Sequence, residues 1–436
     1  MNSQPYSLAI NELGDNDSGT RESILPVSCL HYCPPSVGSW GIIRVGLMVP
    51  ESVMLFVSPN GCGRHGAIAG KQLGFKKRLF FLHVNEIDLV TGAHVENVYR
   101  AVDEIMEQIK PRPKAMLICA TCMDDLLGSD YESIAYILER KHGIPIRACH
   151  MDPIAMDGKT PPQLTIQRAV YDFLSLAQNK DNAINIIGNF APVDSGSDLY
   201  EIMSAAGIDK VNHVMACAKL EEFYLMSQAR LNVLIKPLGR LAAEHMQYKL
   251  GIPYCYAPVS YGLESITYNY SILERHLDSK LPIADYLAEA EDTIAYYQAE
   301  LGHLTVAVGS TANGRPFELS RALIEYGFRV PYIFADDIIS IDEEHIEWLK
   351  KHAPATRVYT NVHPTMADFL KKGLKVDLAV GMDAGYFCSG ARTAVLSLDT
   401  QAYGYRAIRT LFSEMLTALN SSQSHREQMY ASGMVI

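Results

Sequence analysis

The sequence predicts an α/β protein of three successive Rossmann-like domains with mainly parallel sheets. Three observations lead there. Short, near-continuous apolar runs recur along the chain with helical patterns between them. Such runs lack the alternation of a half-exposed strand, so they suit parallel sheets covered on both faces by helices. The chain has 436 residues, which at roughly 150 residues per domain gives about three domains. Hydrophobic residues make up 48% and charged residues 20%, so there is enough apolar surface to build cores and too little charge for a disordered chain.

The elements follow in three sets. In the first, Ser52–Val57, Arg78–Val84, Ala115–Cys119 and Ile144–Cys149 read as strands, with Val95–Ile109 and Tyr131–Arg140 as helices between them. The second set opens at Ala183–Gly188. It continues through a helix at Asp198–Ala206, runs at Val211–Ala216 and Leu231–Ile235, and a helix at Arg240–Leu250 stopped by Gly251 and Pro253. Ser271–Gly302 is a long, charged, helical bridge. The third set places strands at Leu304–Val308, Tyr332–Ala335, Thr356–Thr360 and Val376–Val380. Its helices are Phe317–Tyr326, Glu343–Lys351, Thr365–Lys372 and a closing Tyr403–Leu419. The expected divisions are a polar tail over 1–22, a first α/β domain over 23–180, a second with its helical bridge over 181–300, and a third over 301–436.

Composition also excludes functions. Thirty-eight Lys and Arg against 49 Asp and Glu leave a net charge of −11, the wrong sign for gripping nucleic-acid phosphates or an anionic membrane surface. No apolar run approaches the roughly 18 residues of a membrane span. Met1–Arg21 is polar, carries Asp and Glu, and has no apolar segment of the secretory kind. A cytoplasmic protein is expected. The nine cysteines are odd in number, which argues against a disulfide framework in a chain of this size.

Nucleotide and hydrolase motifs fail on inspection. Gly158-Lys159-Thr160 resembles the end of a P-loop, but Pro153 stands where its first glycine belongs. The glycines of Gly309–Gly314 do not fit a dinucleotide turn, and no G-x-S-x-G elbow occurs. In open α/β sheets ligands bind beyond the carboxyl ends of the strands. The segments there are Ser58–Gly66, Ala120–Cys122, Asn189–Gly196 and Gly309–Arg315, and two of the four carry cysteine. Cys119-Ala120-Thr121-Cys122 fits a redox pair or half a zinc site, and neither reading accounts for Cys62 between Gly61 and Gly63. Soft thiolates on separate loops suit an iron–sulfur cluster.

The pattern resembles the nitrogenase component 1 superfamily: MoFe-protein subunits, their cofactor-assembly scaffolds, and reductases of the dark-operative protochlorophyllide type. The resemblance rests on Cys33-Pro34-Pro35-Ser36-Val37-Gly38-Ser39-Trp40, on Ser58-Pro59-Asn60-Gly61-Cys62-Gly63, and on Thr121-Cys122 through Gly128-Ser129-Asp130. The cysteine intervals are 29 and 60 residues. Asn185–Gly188 and Lys249–Pro253 match later landmarks, so the likeness runs from about residue 24 to 419. It implies that Cys33, Cys62 and Cys122 ligate an iron–sulfur cluster, P-cluster-like or [4Fe-4S], at an interface with an identical or homologous component 1 chain. That pairing would be a dimer or an α2β2 assembly. It further implies an ATP-hydrolysing iron protein as electron donor, and either reduction of a substrate or, as the alternative, service as a metallocofactor scaffold.

Two departures bear on a second metallocofactor. The family's cofactor cysteine falls near Ile235, where no cysteine stands, and Arg392–Asp399 holds no histidine in the stretch searched for the cofactor imidazole. Cys388, in Gly385–Gly390 after a third-domain strand, is a further candidate for the cavity, against a buried structural thiol. Cys29 and Cys119 stand near the proposed ligands as alternates, whereas Cys149, Cys217 and Cys255 read as core thiols.

Overall fold

A computed structural model describes residues 6–14, 22–24, 30–34, 41–72, 74–151, 162–371, 374–388, 390–396, 401–422 and 427. The fold is α/β with several parallel sheets. Two compact units emerge. One comprises Ser39–Pro192 and Ile208–Tyr256; the other comprises Met1–Gly38, Val193–Gly207 and Ala257–Ile436. Among the described residues no helix is long and apolar enough to cross a membrane.

Two short strands, β1 (Ser7–Ala9) and β2 (Glu22–Ser23), precede the first sheet. That sheet is built from β3 (Ser52–Ser58), β4 (Leu79–His83), β5 (Ala115–Thr121) and β6 (Ile146–Met151), in the spatial order β4-β3-β5-β6 and parallel throughout. Every residue of β3 and β5 is buried, which is why these segments read as unbroken apolar runs. The helices Ala93–Gln108 and Tyr131–His142 bury Val98, Val102, Ile134 and Leu138 against the sheet. The gain from burying such side chains is about 1.5–3 kcal/mol each.

The second sheet, in the same unit, orders β7 (Ala183–Ile187), β8 (Lys210–Asn212), β9 (Leu231–Leu234) and β10 (Tyr254–Tyr256) as β10-β9-β7-β8, again parallel. Its interior carries a polar ladder. Asn185 pairs in register with Asn212 on one side and Asn232 on the other. The Asn185 amide donates to Asn232 Oδ1 at 2.9 Å, and Asn212 donates to Asn185 Oδ1 at 3.1 Å. Asn185 and Asn232 are fully buried and Asn212 nearly so. The run Val211–Ala216 is strand only as far as Asn212, because His213 turns the chain and accepts the Met215 N–H on Nδ1.

The third sheet belongs to the other unit. It takes β11 (Thr305–Val308), β12 (Arg329–Phe334), β14 (Arg357–Tyr359), β15 (Leu378–Val380) and β16 (Arg392–Ala394) in parallel, ordered β1-β14-β12-β11-β15-β16. A separate strand, β13 (Asp337–Ile338), pairs with β2. Of the polar stretch 1–22, expected as a tail, the described residues 6–14 are packed: β1 adds to the sheet edge antiparallel to β14, and Ile10 is fully buried. The main-chain bonds to Arg357–Tyr359 and one buried isoleucine hold a segment whose composition reads as solvated. The single helical bridge is corrected. It is two helices, Leu263–Leu277 and Ala284–Leu301, broken where Asp278 adopts φ 49° and Pro282 denies a helical N–H. Both helices lie in the unit of the third sheet.

The Asn ladder makes a direct prediction. Replacing the central Asn185 with Leu leaves the Asn212 amide and the Asn232 carbonyl buried without their partner. Unfolding in urea should show a loss of about 2–4 kcal/mol, well beyond that of an exposed polar substitution.

Candidate functional site

The carboxyl edge of the first sheet holds two of the three expected ligands. Cys62 lies in the first turn of the helix Asn60–Gln72, just after β3, and Cys122 opens the helix Cys122–Leu127, just after β5. Both were expected on loops; each strand passes almost directly into a helix instead. β3 and β5 are neighbours, with Phe56 paired to Cys119, and adjacent strands lie about 4.8 Å apart. The structure therefore brings Cys62 and Cys122 to one edge, both partly accessible. Beneath them, Ser58 and Thr121 each stand two residues beyond that pair. Both hydroxyls are buried with no hydrogen-bond partner. Gly63 packs tightly, since a Cβ there would come within 3.1 Å of His83 and 3.3 Å of Phe81, whereas a Cβ on Gly61 would meet nothing within 4 Å. The glycine after the cysteine is tightly packed; the one before it has room for a side chain.

Cys33 is exposed, in the short segment 30–34 of the other unit, where the Tyr32 N–H donates to Val362 O at 2.7 Å. Cys29, Trp40 and Gly158-Lys159-Thr160 lie outside the described residues. Among the described residues no three His, Cys, Asp or Glu side chains gather as a metal site. Asp130 of the third cysteine motif caps the helix Tyr131–His142 by accepting the Ser133 N–H at 2.9 Å.

The other two sheet edges differ in chemistry. Beyond β7 and β9 stand Gly188, Asn189, Phe190, Ile235 and Lys236. Ile235 is buried and apolar. Burial, and then the charge of Arg44, pull the Lys236 ammonium down to about 7. At the third sheet, Asp383 follows β15 fully buried. It accepts from the backbone and hydroxyl of Ser310 at 2.8 Å each, from the Thr311 hydroxyl at 2.7 Å, and from the Asn361 amide at 3.1 Å. A Cβ on Gly309 would sit 1.9 Å from its Oδ1. The loop Gly309–Arg315, expected to meet a ligand, is thus occupied by internal bonds, and Arg315 pairs with Asp342 and Asp337.

The family model of nitrogenase component 1 type oxidoreductases matches residues 38–420. The chain belongs to this family. It is 24% identical over 290 residues to a nitrogenase iron-molybdenum cofactor biosynthesis protein NifE of Nostoc sp. (strain PCC 7120 / SAG 25.82 / UTEX 2576), covering 63% of this chain and 58% of that protein. It is 25% identical over 179 residues to a nitrogenase molybdenum-iron protein alpha chain of Methanosarcina barkeri, covering 39% of this chain and 32% of that one. The chain spans about half the length of the curated relatives it matches. A solved structure, "Nitrogenase Cp1 at pH 6.5", superposes with a TM-score of 0.71 at 16% identity over 91% of this chain and 94% of that one. At that identity the likeness is one of fold.

Within this component 1 type chain the other thiols among the described residues are buried, except Cys217, which is half-buried. Cys119 and Cys149 are a buried in-register pair on β5 and β6. Burial pushes the Cys255 thiol up to about 12 and raises those of Cys217 and Cys388. Cys388 packs in an aromatic core with Phe334, Tyr386 and Phe387, so no ligand cavity is implied for it. The position expected for a cofactor cysteine offers Ile235 and Lys236, which do not fit a soft metal. Sequence reading passed over His213 and Arg44, and took Ser58 and Thr121 only as flanks of the cysteine motifs. A polar residue at the end of an apolar run was the available signal for Ser58 and Thr121.

His213 is almost fully buried at the end of β8, and burial lowers its imidazole to about 4. A lowered histidine favours the folded state above its ordinary pKa of 6.5, and that contribution is lost as pH falls from 6.5 through 4. Chemical denaturation should therefore show wild-type stability dropping by about 2–3 kcal/mol more than that of His213→Gln between pH 7 and pH 4.5.

Proposed function

We propose that this chain is the cluster-binding subunit of a nitrogenase-like reductase. Cys62 and Cys122, with Cys33, hold an iron–sulfur cluster, P-cluster-like or [4Fe-4S]. Electrons come from an ATP-hydrolysing iron protein and pass on to a substrate or a second metallocluster. The observation that carries this reading is the first-sheet edge, with its two accessible thiols above two buried hydroxyls that have no partner. Thiolates are the ligands iron–sulfur clusters take, and hydroxyl donors to sulfur shift a cluster's reduction potential. The cluster supplies one-electron transfer. The chain's own part is to bring two thiolates to one sheet edge and to place the Ser58 and Thr121 hydroxyls at the ends of the same two strands.

Two thiols at one edge do not complete a cluster, so the remaining ligands come from Cys33 or from an identical or homologous component 1 chain. Exposed apolar side chains support such a partner. Ile87 and Val90 follow β4 in the helix Glu86–Thr91, and Leu127 ends the helix that Cys122 begins. A second reading, a scaffold that builds a metallocofactor and hands it on without turnover, is favoured by the cofactor biosynthesis proteins among its relatives. It predicts metal transfer to an acceptor protein and no substrate-dependent ATP use.

The test is iron and acid-labile sulfide per chain in anaerobically purified protein, with EPR before and after dithionite. Cys62→Ala and Cys122→Ala should lose cluster iron, and Cys255→Ala should retain it. Ser58→Ala should keep the iron and shift the midpoint potential. A colourless, iron-free wild type would overturn both readings, and full iron in either ligand variant would remove that residue from the site.

A further inference from the structure

The carboxyl edge of the third sheet is where the segment carrying Cys33 lands, and all of it lies in one unit. β2 pairs antiparallel with β13, just past β12, and the buried Ile24 donates its N–H to Asp336 O at 3.1 Å. The Tyr32 N–H donates to Val362 O at 2.7 Å, just past β14. The Tyr32 side chain packs on the core of Phe334, Tyr359 and Phe387. Pro34 is buried, and Cys33 between these two anchors is exposed.

Both landing points are tied to one side chain. Asn361 is fully buried, next to Val362 in the chain and bonded to Asp336. Its backbone N–H donates to Asp336 Oδ1 at 2.7 Å. Its amide donates to Asp336 Oδ2 at 3.0 Å and to Asp383 Oδ2 at 3.1 Å. The Thr360 hydroxyl donates to Asp336 Oδ1 at 2.8 Å. The strands themselves are already joined, since β12 and β14 pair in register. Bringing two carboxylates together on one buried amide costs free energy that apolar residues there would avoid. What the clamp adds lies beyond the strand ends. It fixes Asp336 against the turn 360–362, and the carbonyls of Asp336 and Val362 are the two that hold the N-terminal segment.

We propose that Asn361 is the positioning residue for Cys33: by joining Asp336 to Asp383 it holds the two carbonyls that dock the segment, and so sets where the exposed thiol stands. This rests on the reading of Cys33 as a cluster ligand. Asn361 acts through the main chain of Ile24 and Tyr32. Residues 30–34 belong to no helix or strand, so nothing local fixes the cysteine. A ligand offered from such a segment loses conformational freedom on binding, and docking it beforehand removes part of that cost. Helix turns at strand ends do the same for Cys62 and Cys122. For Cys33 the clamp at Asn361 does it from a distant part of the sequence.

The experiment compares wild type, Asn361→Ala, Tyr32→Pro and Cys33→Ala, each as the full chain purified without oxygen. The readouts are hydrogen exchange of peptides containing Ile24 and Tyr32, iron content, and EPR after dithionite. Asn361→Ala should speed exchange of both amides about tenfold or more, while β3 and β5 exchange at wild-type rates. Its iron should fall toward the level of Cys33→Ala, with an altered signal from what remains. Tyr32→Pro leaves the clamp intact and removes the N–H that bonds Val362. It should melt with wild type and lose iron as Asn361→Ala does, which separates lost positioning from lost folding. An iron-free wild type, or full iron in Cys33→Ala, would overturn the ligand reading and this role with it. Iron lost in Cys33→Ala but kept with the wild-type signal in both other variants would overturn the positioning role alone. So would Ile24 and Tyr32 amides that exchange no faster in Asn361→Ala.

Discussion

Asn212, Asn185 and Asn232 form a hydrogen-bonded row through the middle of the second sheet, and the arrangement of that sheet's carboxyl edge depends on it. Apolar strands alone specify a register weakly when both faces are buried, because sliding by a pair of residues exchanges one hydrocarbon for another. Three buried amides remove that tolerance. Only one register satisfies their donors and acceptors, and every other leaves polar groups in a low-dielectric interior. The Met226 carbonyl takes the second Asn185 proton at 2.9 Å, which ties the preceding turn to the same row. With the register set, the ends of β7, β8 and β9 are set as well, and so are Gly188, His213 and Lys236.

Parallel pairing gathers the ends of all strands of a sheet at one edge, and the three edges in this chain hold three kinds of chemistry. The first presents accessible thiols over buried hydroxyls. The second presents a buried lysine, Lys236, and a buried imidazole, His213. The third is closed on itself. The Asp383 carboxylate is saturated by Ser310, Thr311 and Asn361, and Asn361 also donates to Asp336. Burial, with Asp383 nearby, raises the Asp336 pKa. A carboxylate with its lone pairs already occupied has little left for a ligand. This separates loops that bind from loops that merely sit where ligands usually bind.

Much of the fold was legible because burial on both faces writes itself as apolar runs. Strands β3, β5, β7 and β9 are buried throughout and were read within two residues of their ends. What escaped were features that depend on distant partners. β1 reads as part of a tail, and it is a strand only because β14 supplies its hydrogen bonds. The bridge Ser271–Gly302 has mostly helical composition, and it breaks at Asp278 and Pro282, a helix breaker that the reading as one bridge passed over. Cys62 and Cys122 were found as soft residue types at strand ends, but their first-turn placement was not, although Pro59 and Thr121 are residue types that often precede a helix.

The sequence by itself determined the fold class, the family resemblance and the identities of the thiols, because each is carried by local pattern: apolar runs, spacing and residue chemistry. Tertiary structure decided which of those residues share an edge and what surrounds them. Ser58 and Thr121 are ordinary hydroxyls in the sequence; burial without partners at adjacent strand ends sets them apart from the rest. Lys236 reads as a solvated lysine until the Gly188 turn and Arg44 are brought against it. The physical reason is the same in each case. Charge and hydrogen-bonding power act through dielectric and distance, and both are properties of the folded neighbourhood rather than of the residue.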